Sequence, residues 1–300
     1  MSDFVLKPAE NECIVEGILS EVKLQEGIGK ASKKAYIMGE IKVKTTAEIN
    51  GVETSLEIPV RVFANQLKND NTPNPAYESI KKIGDMTSLA ACGGDINIAD
   101  RIRFDNANIQ MNEFYGRNEN LVSYPTVRGT FSRKVNADAY NPTATFSNVI
   151  VVAALKEETD RNGDLTGRLI VKGILPQWGN KVDVVDYVVA SEAAIKHIQT
   201  YWQKGDTVRI AGVINFSSKV ETEVIEMGFG DPQLKNRTIS VTELLITKGS
   251  QGALDEEFAY DRDLISEALT RRQAYLTELK NNTAKKEEVA TKSSTTDFGF

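Results

Sequence analysis

The chain has 300 residues, 41% hydrophobic and 26% charged, a balance that suits a folded globular protein of one large domain or two of ordinary size. Its net charge is −6; residues 253–300 hold ten acids and seven bases, so the first 252 residues carry only −3, and global charge gives no support to nucleic-acid binding. No apolar run approaches the ~18 residues needed to cross a bilayer, and the start, Met1-Ser-Asp-Phe-Val-Leu-Lys, lacks the basic and apolar regions of a signal peptide, so a cytoplasmic protein is expected.

In chain order, period-2 alternation predicts strands over 13–24, 35–46 and 54–63, with Asn50-Gly51 as a tight hairpin between the second and third. The period then changes: Tyr77, Ile80 and Ile83 recur three apart after Pro75, which predicts a helix. Strands follow over 101–115 and 121–132. The second half repeats this order, with strands over 149–155, 167–175 and 181–189, a helix over 191–204 capped by Ser191, and strands over 207–216 and 238–246. Three strands, a helix and two strands is the order of the OB-fold. The fold class expected is mainly β: two tandem five-stranded Greek-key barrels over 1–135 and 136–250, each with its helix between strands three and four. A helical segment over 251–281 and a flexible, disordered tail over 282–300 complete it. Leu264, Ala268, Arg272 and Leu276 form one edge of the last helix, with Ile265, Leu269 and Leu279 beside it, a stripe expected to dock within the chain.

Catalytic motifs fail on spacing. Cys13 and Cys92 are the only thiols and His197 the only imidazole, too few for a zinc site or a histidine triad. His197 lies on an amphipathic helix, as a surface or packing residue. Gly27-Ile-Gly-Lys-Ala-Ser misses the phosphate-loop pattern because Ala31 follows Lys30, and Asp160-Arg-Asn-Gly-Asp misses the calcium loop because Gly163 comes too early. Asp183 and Asp186 are not arranged as a Mg²⁺ pair. No catalysis, cofactor or metal is expected.

Binding residues are more legible. OB barrels hold oligonucleotides across strands two and three, between the loops joining strands one to two and four to five. The first of those loops carries Lys30, Lys33 and Lys34, with Tyr36 next; Lys42 and Lys44 share one face of strand two, and Arg61 and Phe63 one face of strand three. Cations for phosphates and rings for unpaired bases suit single-stranded nucleic acid; the alternative is that Phe63 is core and the lysines merely solvate a surface. On strand four, Asn106, Asn108, Gln110 and Asn112 share a face, and amides can donate to or accept from bases and backbone without demanding one sequence. A face packed on a neighbouring domain is the other reading. Phe114, Tyr115, Arg117 and Tyr124 cluster at the next turn. In the second half, Trp178 lies between strands two and three, Trp202 faces the core, and Lys219, Phe229, Lys235 and Arg237 form either a clamp or a dimer contact.

After a polar run, the chain closes on Asp297-Phe298-Gly299-Phe300. This ending resembles the tail by which bacterial single-stranded DNA-binding proteins recruit replication and repair enzymes. With the repeated element order and the basic-aromatic loop, the whole chain resembles the single-stranded DNA-binding proteins of bacteriophages. The resemblance implies a protein that coats and protects unwound DNA in the host cytoplasm, possible homo-oligomers, and replication or recombination proteins as partners. Asp297 would meet a basic rim, and Phe298 and Phe300 an apolar pocket; the sparse acids before them depart from the family pattern. The runner-up is a phage structural or scaffold protein using its barrels for protein contacts.

Overall fold

The computed structural model describes residues 5–30, 32–116, 118–160, 162–225 and 233–293, with 219–225, 233–237 and 284–293 as backbone alone. The first half holds β1 (Asn11–Ile28), β2 (Ala35–Ile49), β3 (Val52–Asn65), α1 (Pro75–Gly84), β4 (Arg101–Tyr115), β5 (Leu121–Arg128) and the short β6 (Arg133–Val135). After a 3-10 turn at Ala137–Ala139 come β7 (Thr143–Thr159), β8 (Leu165–Gln177), β9 (Lys181–Val189), α2 (Glu192–Tyr201), β10 (Thr207–Ile225), β11 (Gln233–Gly249) and α3 (Arg262–Ser293).

Local chemistry accounts for the elements. Asn50 and Gly51 adopt φ of 53° and 79°, the left-handed pair that turns β2 tightly into β3. The Asn74 side chain caps α1 by accepting from the Ala76 N–H at 3.1 Å, and Pro75 opens the helix where no donor is needed. Tyr77, Ile80 and Ile83 are buried, as their spacing predicts. Alternating residues of β2 and β3, among them Ile41, Val43, Leu56, Ile58 and Val60, point inward and are almost fully buried.

Among the described residues all eleven strands belong to one hydrogen-bonded sheet, mixed because β3 pairs with β5 and β9 with β11 in parallel. In the first half the pairings run β1–β2–β3–β5–β4 and return from β4 to β1; in the second they run β7–β8–β9–β11–β10 and return to β7. β1 is long enough to pair with β7 as well, through Asn11 to Glu16. Instead of the two separate barrels expected, the protein forms one large mixed sheet, with β6 added on β4, and a single core joins Val15, Ile58 and Phe104 to Phe146, Ile150 and Tyr187.

The junction is also tied by polar contacts. Glu16 is 1% exposed; one oxygen accepts from Arg103 Nη1 at 2.7 Å and the other from the Asn141 N–H at 2.6 Å, in the segment joining the halves. At the next position, a Cβ on Gly17 would lie 2.3 Å from the Lys44 carbonyl oxygen, so the close approach of β1 to β2 needs glycine there.

α3 is capped by the preceding Asp261, whose Oδ1 accepts from the Asp263 and Leu264 N–H groups. Its Ile265 and Ala268 pack with Val151 of β7, Ile174 of β8, Val182 of β9 and Leu6, so the apolar stripe docks within the chain. Arg272 pairs with Glu113 of β4, and Lys280 with Glu119 at 3.1 Å, which makes α3 a brace from the second half to the β4–β5 end of the first. The helix continues past its expected stop near Asn281 to Ser293. Residues 284–290 are Ala, Lys, Glu and one Val, good helix formers even without an apolar face.

Candidate functional site

The outward face of β2, β3, β5 and β4 carries most of the predicted residues. Along β2, Tyr36, Met38, Glu40, Lys42 and Lys44 stand opposite Asn65, Phe63, Arg61, Pro59 and Glu57 of β3. Phe63 is 44% exposed rather than core, and its ring lies 5.8 Å from that of Tyr36. This pair marks the end of the face nearest the β1–β2 loop, where Lys30 and Lys33 are exposed and the Lys34 Nζ donates to the Lys68 carbonyl at 2.8 Å. At the opposite end, Phe114 and Tyr124 meet edge to face at 6.4 Å; Tyr115, the next residue along β4, alternates to the other side of the strand and is half-buried.

Between the aromatic ends lie two arginines. Register places Arg61 of β3 beside Arg128 of β5, a residue the sequence reading missed, although it shares a face with Tyr124 and Thr126 by simple alternation. Arg61 donates from Nη1 to Asn112 Oδ1 at 3.1 Å and from Nη2 to the Tyr124 hydroxyl at 3.3 Å. Arg128 Nη1 donates to Gln110 Oε1 at 2.7 Å. These acceptors are uncharged, so they aim the guanidinium groups without neutralising them; Glu40, opposite Arg61, makes no ion pair with it among the described residues. The amide row thus has a different first task from the one expected: Gln110 and Asn112 position arginines, while Asn108 is half-buried with its Oδ1 unpartnered.

Other expected residues are less available. Lys42 is held by Glu21 at 3.1 Å and by Glu57 at 3.9 Å, and the Glu21 contact raises its pKa. Lys44 is exposed. Arg117, Asp297, Phe298 and Phe300 lie outside the described residues, as does Phe229; Lys219, Lys235 and Arg237 are described as backbone alone. Trp178 is 81% exposed in the β8–β9 turn, away from the first face, and Trp202 is buried at 3%. His197 donates from Nε2 to the Gln251 carbonyl at 2.9 Å on the outside of α2. Asp186 pairs with Lys172 and Asp183 serves the β4 backbone, so the two carboxylates have separate structural tasks.

The halves differ in what covers this surface. On the second, α3 packs over β7, β8 and β9, closing part of the face equivalent to the one just described. On the first, β10 and β11 overhang, leaving a cleft of about 340 Å³ between Lys42, Arg61 and Tyr124 on one wall and Ser217, Ser218 and Thr242 on the other. A second cleft, of about 530 Å³, opens on the other side of β4, between that strand, the β8–β9 turn and α3.

The YorF family model matches residues 10–282. The chain belongs to the YorF family. No curated protein matches this YorF-family chain in sequence. Among solved structures it is similar to the wild-type single-stranded DNA binding protein from Thermus aquaticus, with a TM-score of 0.45 and 10% identity over 83% of this chain and 96% of that one. A deletion variant of the same protein gives 0.47 and 9%, over 83% and 97%. Among the described residues, no helix is long and apolar enough to cross a membrane, and no three His, Cys, Asp or Glu side chains are grouped to hold a metal.

Asp183 provides a test of the β4 contact. Its Oδ2 accepts from the Met111 N–H and from Gln177 Nε2, each at 3.1 Å. Burial pushes its carboxyl above the usual range, Glu113 adds to that, and the two hydrogen bonds and Arg272 oppose it. A carboxyl with a raised folded pKa costs stability once ionised, so stability is lost as pH rises from its unfolded value through the folded one. Asp183→Asn keeps an acceptor and should raise the Tm at neutral pH, with the gain closing as pH falls through the carboxylate range. A gain that persists unchanged in acid would show another cause.

Proposed function

We propose that this chain is a non-catalytic, sequence-tolerant binder of single-stranded DNA, with its principal site on the outward face of β2, β3, β5 and β4. The observation that carries this reading is the pair Arg61 and Arg128, held side by side by Asn112, Tyr124 and Gln110. An arginine already paired with a carboxylate must be stripped of it before meeting a phosphate; one aimed by neutral acceptors need not be. Exposed rings at both ends of the face offer stacking to bases that are unpaired, worth roughly 1–3 kcal/mol each, and duplex DNA presents no such base faces. The hydroxyl-lined overhang of β10 and β11 adds donors and acceptors without a sequence requirement.

The cyclic pairing orders, with α1 between β3 and β4 and α2 between β9 and β10, support reading each half as an OB-type barrel, the two fused through β1 and β7. In that reading the bound strand is shielded from nucleases, and Asp297, Phe298 and Phe300 form a separate hook for a replication or recombination protein. The test is a labelled oligothymidine with a matched duplex as control, on the full chain and on a variant lacking residues 297–300. Single-strand binding that weakens with salt and survives the deletion is expected. No shift of the oligothymidine, or equal shift of the duplex, would overturn the function; large loss on deletion would place the tail in the DNA site.

A further inference from the structure

We propose that the cleft between β4, the β8–β9 turn and α3 is a second nucleotide-holding subsite, into which a strand bound on the first face continues. This rests on the single-strand reading above and extends it to residues that neither the sequence pattern nor the first face includes. β4 is the link: the side chains of Gln110 and Asn112 hold Arg128 and Arg61 on the first face, and the same stretch of β4 forms one wall of this cleft. In the proposal, a strand passing the two arginines crosses β4 to reach it.

The cleft has suitable chemistry. Its volume of about 530 Å³ falls in the range of small-ligand sites and has room for one or two nucleotides. Glu113 is matched by Arg272, and Asp183 accepts from the Met111 N–H and Gln177, so these acids are occupied within the wall. Lys181 and Arg271 remain on the exposed side, Arg271 paired among the described residues with Glu267 on its own helix, and Tyr275 is 56% exposed. Two cations and an open ring form a phosphate and stacking set. The turn that supplies one wall also carries the exposed Trp178, next in the chain to the lining Gly179, whereas Trp202, the other tryptophan, is buried, so emission from Trp178 is the readout for entry.

The test combines Lys181→Ala, Arg271→Ala and Tyr275→Ala, all exposed positions outside the core, and titrates oligothymidines of about 8 and about 30 nucleotides, the first within and the second well beyond the footprint of one barrel. Binding of the long oligomer should weaken about tenfold, while that of the short one stays within about twofold. On the unaltered protein, the long oligomer should quench Trp178 emission and the short one leave it nearly unchanged. Unchanged long-oligomer affinity in the variant, or equal loss at both lengths, would overturn the subsite while leaving the first face intact. Failure of the unaltered protein to bind either oligomer would instead remove the single-strand reading itself.

Discussion

Replacing Arg61, Arg128, Tyr36 and Phe63 together by alanine should weaken oligothymidine binding by at least about two orders of magnitude. Two lost stacking partners at roughly 1–3 kcal/mol each supply most of this. The two lost cations should also make the plot of log affinity against log salt shallower by about 1.4, at about 0.7 per phosphate contact for a single strand. The side chains point outward, Phe63 is 44% exposed, and the core beneath is formed by their strand neighbours Ile37, Val60, Val62 and Val127, so the fold should survive. Circular dichroism and thermal unfolding check this. Arg61→Lys alone keeps the charge but cannot bridge Asn112 and Tyr124 as a planar fork does, so it should lose affinity with little change in salt slope. Quadruple-variant affinity within about twofold of the parent would overturn the proposed site.

The second large effect is on stability. Glu16→Ala should cost about 3 kcal/mol in urea unfolding, the lower end of what breaking a buried ion pair costs, because Asp105 still contacts Arg103 after Glu16 is lost. The Asn141 N–H loses its acceptor at the same time, so amide exchange in the segment joining the halves should accelerate. Glu16→Gln retains an oxygen for Asn141 and should recover part of the loss. If Glu16→Ala unfolds within about 0.5 kcal/mol of the parent, the junction is held by strand pairing and core packing alone.

How much of this was readable in advance follows from the range of each interaction. The strands, the Asn50-Gly51 turn and both short helices were legible because alternation, left-handed turn residues and caps act between neighbours in the chain. The lysine loop, Tyr36 and Phe63 could be placed on one surface for the same reason. Arg128 could have been found by continuing the alternation of Tyr124 and Thr126; it was hidden only by the lack of a reason to look at the end of β5. The course of α3 beyond residue 281 was misread because the search was for an apolar face, whereas helix propensity requires none.

The sequence by itself therefore determined the mainly β class, the repeated element order, the docking stripe of α3 and the cationic and aromatic side chains available for binding. Only the tertiary structure decided that β1 bridges to β7, that β5 joins β3 in parallel, that α3 covers the second half's face, and that amides serve two arginines. The physical reason is that backbone hydrogen bonds between strands carry little information about which distant partner accepts them. That choice is made when about a hundred residues of chain close on a shared core, and side chains such as Arg61 and Asn112 acquire their meaning only after it is made.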